Sequence, residues 1–145
     1  MLPSKHIFYG FLFSLFAYLI FPQIGVFNAF VIFLSSFLID FDHYLVYVFY
    51  KRKFSVRKAY RHFVNLDKTL FHNKSYKGPL VIFHTVEVLA LLLWLSIYNS
   101  VFLFISIGMI FHWLLDIYTL KKLNALHAKD FSIIYYYLNK KSVFF

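Results

Sequence analysis

The chain has 145 residues, 61% of them hydrophobic, with a mean hydropathy of +0.68 and a formal net charge of +9. Soluble domains are roughly 45–50% apolar, so this composition favours an integral membrane protein. The alternative, a soluble all-α bundle, would expose far more apolar surface than such a short chain can hide. Cysteine is absent, which excludes a disulfide framework, a thiolate metal site and a cysteine nucleophile.

Four apolar stretches approach the thickness of a bilayer, for which a helix needs roughly 20 residues. They predict transmembrane helices over about 6–21, 24–50, 79–98 and 101–118, with a basic loop over 51–78 and a basic tail over 119–145. No small-residue cleavage site follows the first stretch, so we interpret it as a retained helix rather than a signal peptide. The expected fold is all-α, a polytopic membrane bundle of about four helices that forms one domain.

The positions of the basic residues predict the orientation of these helices. Lys and Arg precede the first helix, fill the 51–78 loop and follow the fourth helix, whereas the connections at 22–25 and 98–100 carry no charge. Basic segments stay in the cytoplasm, so both termini are expected there, with two hairpins pointing outward from the cytoplasmic (inner) membrane. Because topology accounts for the positive charge, nucleic acid is not an expected partner.

The basic loop also predicts an amphipathic helix that begins after Ser55, a candidate cap. One face would be apolar, with Val56, Ala59, Tyr60 and Phe63, and could extend to Leu66 and Leu70. The opposite face would carry Arg57, Lys58 and Arg61. Such a helix lies among lipid headgroups, where its cations can hold an anionic headgroup or a substrate phosphate. The alternative is that these residues are ordinary cytoplasmic loop charges.

Acidic and histidine side chains are concentrated within or beside the apolar stretches. They are His6, Asp40, Asp42, His43, His84, Glu87, His112 and Asp116. The predicted topology places all eight at the cytoplasmic ends of the four helices. Ionisable groups inside a membrane are costly and usually mark function. We therefore expect them to converge on one polar site.

The spacing of these residues favours a metal site. Side chains three or four residues apart share a helix face, and three pairs have this spacing: Asp40 with His43, His84 with Glu87, and His112 with Asp116. Histidine and carboxylate ligands suit Zn²⁺ first, with Mn²⁺ or Fe²⁺ as alternatives. The set is large enough for one or two ions, with Glu87 or Asp42 left as a general base. Asp42 would point away from Asp40 on an unbroken helix, so either the helix loosens there or Asp42 supports the ligands from behind.

Taken together, the motifs resemble the YdjM-like family of membrane-bound, predicted metal-dependent hydrolases. The resemblance covers the chain from His6 to about Thr119. Its motifs are His6 with Gly10, then Asp40-Phe41-Asp42-His43, then His84-Thr85 with Glu87, and finally His112-Trp113-Leu114-Leu115-Asp116. The resemblance implies a metal site and a hydrolytic activity.

The sequence therefore favours a metal-dependent hydrolase at the cytoplasmic membrane face, acting on an ester or phosphoester of a lipid or another amphiphile. Two alternatives remain open. A metal or proton transporter would carry polar groups through the whole membrane, whereas the outer half of this bundle is apolar. A non-catalytic membrane protein would use the polar cluster only to hold its helices together, so that substitutions in the cluster would prevent folding.

Overall fold

The computed structural model describes residues 3–69 and 78–139, and within them the regular structure is entirely helical. The helices are α1 (Pro3–Ile20), α2 (Gly25–Leu38), α3 (Phe41–Lys51), α4 (Val56–Thr69), α5 (Val86–Leu95), α6 (Val101–Lys122) and α7 (Ile133–Leu138). Short 3₁₀ turns lie at Pro22–Ile24, Ile82–His84 and Leu126–Ala128. The all-α prediction is thus confirmed. The parts of the predicted basic loop and tail at 70–77 and 140–145 fall outside the described residues.

Within residues 3–69 and 78–139, two helical stretches are long and apolar enough to cross a membrane. They are Pro22–Lys51, which contains α2 and α3, and Val101–Lys122, which is α6. The helices α1 and α5 are also apolar but shorter. Large apolar side chains are exposed on several of these helices, including Phe16 at 62% and Leu114 at 60%. Extensive exposed apolar surface is typical of contact with a partner or a membrane. The arrangement of four spans with both termini in the cytoplasm stays a prediction.

The third predicted helix begins at Val86 in the structure, later than the expected residue 79. The preceding segment uses its backbone elsewhere, because the N–H groups of Gly78 and Val86 donate to the carbonyls of Ala128 and Phe131, each over 2.8 Å. Pro79 has no N–H to give to a helix. These long-range hydrogen bonds leave 78–85 as an irregular segment with one 3₁₀ turn. The second predicted helix is likewise divided, by a turn at residues 39–40.

The chain divides into two compact units. The first comprises Met1–Ile39 and Glu87–Asp116, and the second comprises Asp40–Val86 and Ile117–Phe145. The first unit has an apolar core formed by Ile39, Met109 and Trp113, packed against Val88, Leu89 and Leu92.

Two glycines allow close helix contact in the first unit. A Cβ on Gly108 would lie 2.5 Å from the carbonyl oxygen of Ile32, and a Cβ on Gly10 would clash with the Ser36 hydroxyl. Helix α2 therefore packs closely against both α1 and α6. Residues four apart share a helix face, so the histidines four positions from these glycines, His6 and His112, also face α2.

In the second unit, α4 folds back against α3. The Tyr44 hydroxyl donates to the carbonyl of Phe54 over 2.7 Å, and the N–H of Lys58 donates to the Ser55 hydroxyl over 3.4 Å. The predicted amphipathic helix and its cap are therefore present. Its predicted apolar face is divided, however, because Ala59 is buried whereas Tyr60 is 46% exposed. Only one side of the predicted apolar face of α4 therefore packs against α3.

Candidate metal centres

The second unit holds a histidine–carboxylate group, the Asp40 group, which consists of Asp40, Asp42, His43 and His84. Asp40 directly precedes α3, and its Oδ1 atom lies 3.6 Å from both His43 Nδ1 and His84 Nε2. The possible ligand atoms of Asp40, His43 and His84 all lie within 4.8 Å of one another. Ligands held at about 2.0–2.2 Å by a tetrahedral Zn²⁺ are themselves roughly 3.3–3.6 Å apart. The spacing therefore suits one cation.

Asp42 supports this group from behind. It is buried, and its Oδ2 atom accepts the Phe83 N–H over 2.9 Å and lies 3.1 Å from His84 Nδ1. With the proton of that contact on His84 Nδ1, the Nε2 atom of the same ring keeps a lone pair, and this atom faces Asp40. Carboxylates commonly orient metal-ligating histidines in this way. The Asp42 Oδ1 atom also lies 3.0 Å from His43 Nδ1, so His43 can bind a cation through Nδ1 only in the tautomer that carries its proton on Nε2. The geometry thus favours Asp42 as a supporting residue.

Aromatic side chains surround His43, which is 30% exposed in its side chain. The rings of His84 and of Phe63 from α4 both meet its ring edge-on, with centroids 5.0 Å and 5.3 Å away.

His62 precedes Phe63 on α4. Partial burial and the charge of Lys51 lower the pKa of His62 below its usual value of 6.5. His62 therefore adds no positive charge to α4 at neutral pH.

The first unit holds three further side chains of these types, the His112 group, which consists of His6, His112 and Asp116. The two histidine rings are fully buried and stack with centroids 4.0 Å apart. Asp116 lies one helical turn after His112, as predicted. Its Oδ1 atom is 3.3 Å from His6 Nε2, and its Oδ2 atom is 3.6 Å from His112 Nε2. Two ring nitrogens therefore face one carboxylate.

A backbone carbonyl orients His112. Its Nδ1–H donates to the carbonyl oxygen of Ser36 over 2.9 Å, in a buried position. Because α2 ends at Leu38, its last four carbonyls lack a partner within the helix. This bond places the proton on Nδ1 and leaves Nε2 as the lone-pair atom beside Asp116. Sequence analysis missed Ser36, and the available signal was a pair of small polar residues, Ser35 and Ser36, in an apolar helix.

His6 is the least satisfied side chain of the His112 group. It is fully buried, yet neither ring nitrogen has a hydrogen-bond partner among the residues that the structure describes. Buried polar atoms are rarely left in that state, because the desolvation cost is not recovered. A cation bound by His6 Nε2 and the Asp116 carboxylate would give that ring nitrogen a partner. The residues present therefore fit a metal ion, and these buried groups could hold one.

The remaining predicted residues have less defined positions. Glu87 is half-buried in the first turn of α5, and its role as a base stays a prediction. It does not share a helix face with His84, because Thr85 between them is extended. Arg57, Lys58 and Arg61 are all exposed on α4. The eight predicted site residues are divided between the two units, and their convergence on one site also stays a prediction.

Comparisons with known proteins gave no match, whether with family models, with curated proteins or with solved structures. The resemblance to YdjM-like hydrolases is therefore untested. The function has to be inferred from the geometry of the two groups.

Proposed function

We propose that the protein is a metal-dependent hydrolase embedded in the cytoplasmic membrane, which acts at its cytoplasmic face on an ester or phosphoester of an amphiphile. One observation carries the proposal. In both groups a buried histidine is hydrogen-bonded on its far side, and its Nε2 atom lies 3.6 Å from a carboxylate oxygen. A histidine that binds a metal ion through one ring nitrogen usually donates its other ring N–H to a carboxylate, a backbone carbonyl or water, and the far-side contacts of His84 with Asp42 and of His112 with the Ser36 carbonyl match this arrangement.

The membrane location is supported by the two long apolar helical stretches and by the exposed apolar side chains. The proposed topology has four spans, with α1 and α5 as the shorter ones. Basic residues occur near the start of α1, between α3 and α5, and after α6. Because such segments stay in the cytoplasm, this topology puts the eight predicted site residues at the cytoplasmic side.

A divalent cation bound by these residues, Zn²⁺ first and Mn²⁺ or Fe²⁺ otherwise, would acidify a bound water and polarise a substrate oxygen. Asp40, His43 and His84 would bind one ion, and His6, His112 and Asp116 could bind a second. Asp42 already accepts from His84 and Phe83. Glu87 stays the other predicted base.

A structural role for the His112 group is the second candidate, and the bond from His112 to the Ser36 carbonyl favours it. That bond joins α6 to α2 in the buried part of the first unit. In this alternative the histidines only hold helices together. Substitution of His112 would then unfold the protein instead of producing a folded protein that lacks metal.

The experiment that tests the proposal is elemental analysis of the detergent-purified protein. We expect about one or two equivalents of Zn, Mn or Fe in the wild type. The variants His84→Ala and His112→Ala should each lose metal while circular dichroism shows retained helix. His127→Ala is the matched control, since His127 belongs to neither group, and it should keep its metal. Absence of stoichiometric metal in a reloaded wild type would overturn the proposal.

Activity forms the second half of the same test. Phospholipids and soluble phosphoesters are the substrates to screen, with metal-loaded wild type beside the two histidine variants. Hydrolysis by the wild type and by His127→Ala, but not by either of the other variants, is the expected result. Equal hydrolysis by all four proteins would assign the activity to a contaminant.

A further inference from the structure

Positively charged residues are concentrated at the junction of α3 and α4. Residues 51–61 contain six cations and no acid: Lys51, Arg52, Lys53, Arg57, Lys58 and Arg61. All except Lys51 are exposed. The segment begins at the last residue of Pro22–Lys51, a stretch long and apolar enough to cross a membrane. A polybasic segment at the end of a membrane span is attracted to anionic lipids.

Large apolar side chains are exposed in the same segment. Phe54 is 79% exposed, Val56 67% and Tyr60 46%. Val56 and Tyr60 are four residues apart on α4 and therefore lie on one side of it. Ala59 is 3% exposed, so the side of α4 that packs against α3 is a different one. The exposed apolar residues therefore take no part in the packing of α4 against α3.

Arginines flank this exposed apolar stripe. Each residue of an α-helix is rotated by about 100° from the one before, so Arg57 and Arg61 form a row next to the row of Val56 and Tyr60. Lys58 lies further round the helix. A helix with an apolar stripe bordered by cations typically lies in the headgroup layer. Guanidinium groups also bind phosphate through two hydrogen bonds.

From these observations we infer that the α3–α4 corner, defined as Phe54, Val56, Arg57, Tyr60 and Arg61, docks onto anionic phospholipid headgroups of the membrane. This inference rests on the proposed function for the membrane location alone and not for the hydrolysis. The exposed apolar side chains enter the headgroup layer, and the two arginines bind lipid phosphates beside them. Binding of a soluble anion would not account for the exposure of the three apolar side chains.

The corner is held in place before any lipid binds. The Tyr44 hydroxyl fixes the carbonyl of Phe54 at 2.7 Å, and the ring centroids of His62 and Tyr47 lie 5.6 Å apart between α4 and α3. Phe63 on the same helix meets the His43 ring. Lipid docking would therefore engage the same helix that packs against one of the proposed metal ligands.

Site-specific labelling tests the inference, and the absence of cysteine makes it direct. Tyr60→Cys and Lys58→Cys would each carry a polarity-sensitive fluorophore, in full-length protein reconstituted into vesicles. One set of vesicles contains phosphatidylcholine with phosphatidylglycerol, and the other contains phosphatidylcholine alone. Lys58→Cys is the comparison position, because residue 58 is exposed on the same helix but lies outside the corner, and the substitution keeps both arginines of the corner. Vesicle flotation reports whether the protein is in the membrane at all.

We expect the label at position 60 to show blue-shifted emission and protection from an aqueous quencher in the anionic vesicles. Phosphatidylcholine alone, or high salt, should reduce both effects, and the label at position 58 should stay accessible. Equal access of water to both labels in floated protein would overturn the inference, as would insensitivity to lipid charge. If the protein does not float with the vesicles, it is not in the membrane, and the inference is overturned. Metal content plays no part in these readouts, so they are independent of the hydrolase proposal.

Discussion

The two histidine–carboxylate groups orient their histidines by different means. In the His112 group, a backbone carbonyl at the end of α2 accepts from His112. In the Asp40 group, the side chain of Asp42 accepts from His84. A backbone carbonyl persists under any substitution at its position, whereas a carboxylate can be removed by one. The orientation of His84 should therefore be the more sensitive of the two to mutation.

The groups also differ in exposure. His6 and His112 are fully buried, and the Asp116 side chain is 9% exposed. The side chains of Asp40 and His43 are 21% and 30% exposed. Structural metal sites are closed, whereas catalytic sites keep a position open for water or substrate. Within the proposed function, the Asp40 group is the better candidate for the reaction and the His112 group for a structural ion.

Replacement of Asp42 should have the largest effect on this comparison. Asp42→Ala removes the acceptor of the His84 Nδ1–H and of the Phe83 N–H, and both donors are then left without that partner. Loss of such a supporting carboxylate typically lowers metal affinity by about 10–100-fold. Competition against a chelator would measure it. Asp42→Asn keeps one oxygen acceptor and should recover part of the loss. Equal affinity of Asp42→Ala and wild type would show that Asp42 does not orient His84.

Close helix packing around the His112 group can be tested with two glycines. In Gly108→Ala the new methyl group meets the carbonyl oxygen of Ile32, which belongs to the backbone and cannot rotate away. We expect a loss of about 1–3 kcal/mol in the free energy of unfolding, as for other overpacked cores. In Gly10→Ala the obstacle is the Ser36 hydroxyl, a side-chain group that can move. Denaturant titration in detergent should therefore show a smaller loss, and equal losses would contradict this account of the contacts.

The sequence was a better guide to local features than to long-range ones. Helix periodicity and capping predicted α4 and its Ser55 cap. The four-residue spacing predicted that Asp116 lies on the same helix face as His112. The start of α5 was predicted too early, because the hydrogen bonds of residues 78–86 go to a segment more than forty positions away. The role of Ser36 was equally hidden, because it depends on a carbonyl group that every residue possesses. Neither partner could be identified from periodicity alone.

The smallest expected effect comes from Ser36→Ala, which isolates the role of the backbone in the His112 group. The Ser36 hydroxyl donates locally to the Phe33 carbonyl over 2.7 Å, whereas the oxygen that accepts from His112 is the main-chain carbonyl. Loss of one such side-chain hydrogen bond costs about 0.5–1.5 kcal/mol, and metal affinity should be unchanged. Asp42→Ala is the contrasting variant in the same chelator competition. A fall in metal affinity in Ser36→Ala as large as that in Asp42→Ala would mean that side chains support both groups, and the distinction between them would be lost.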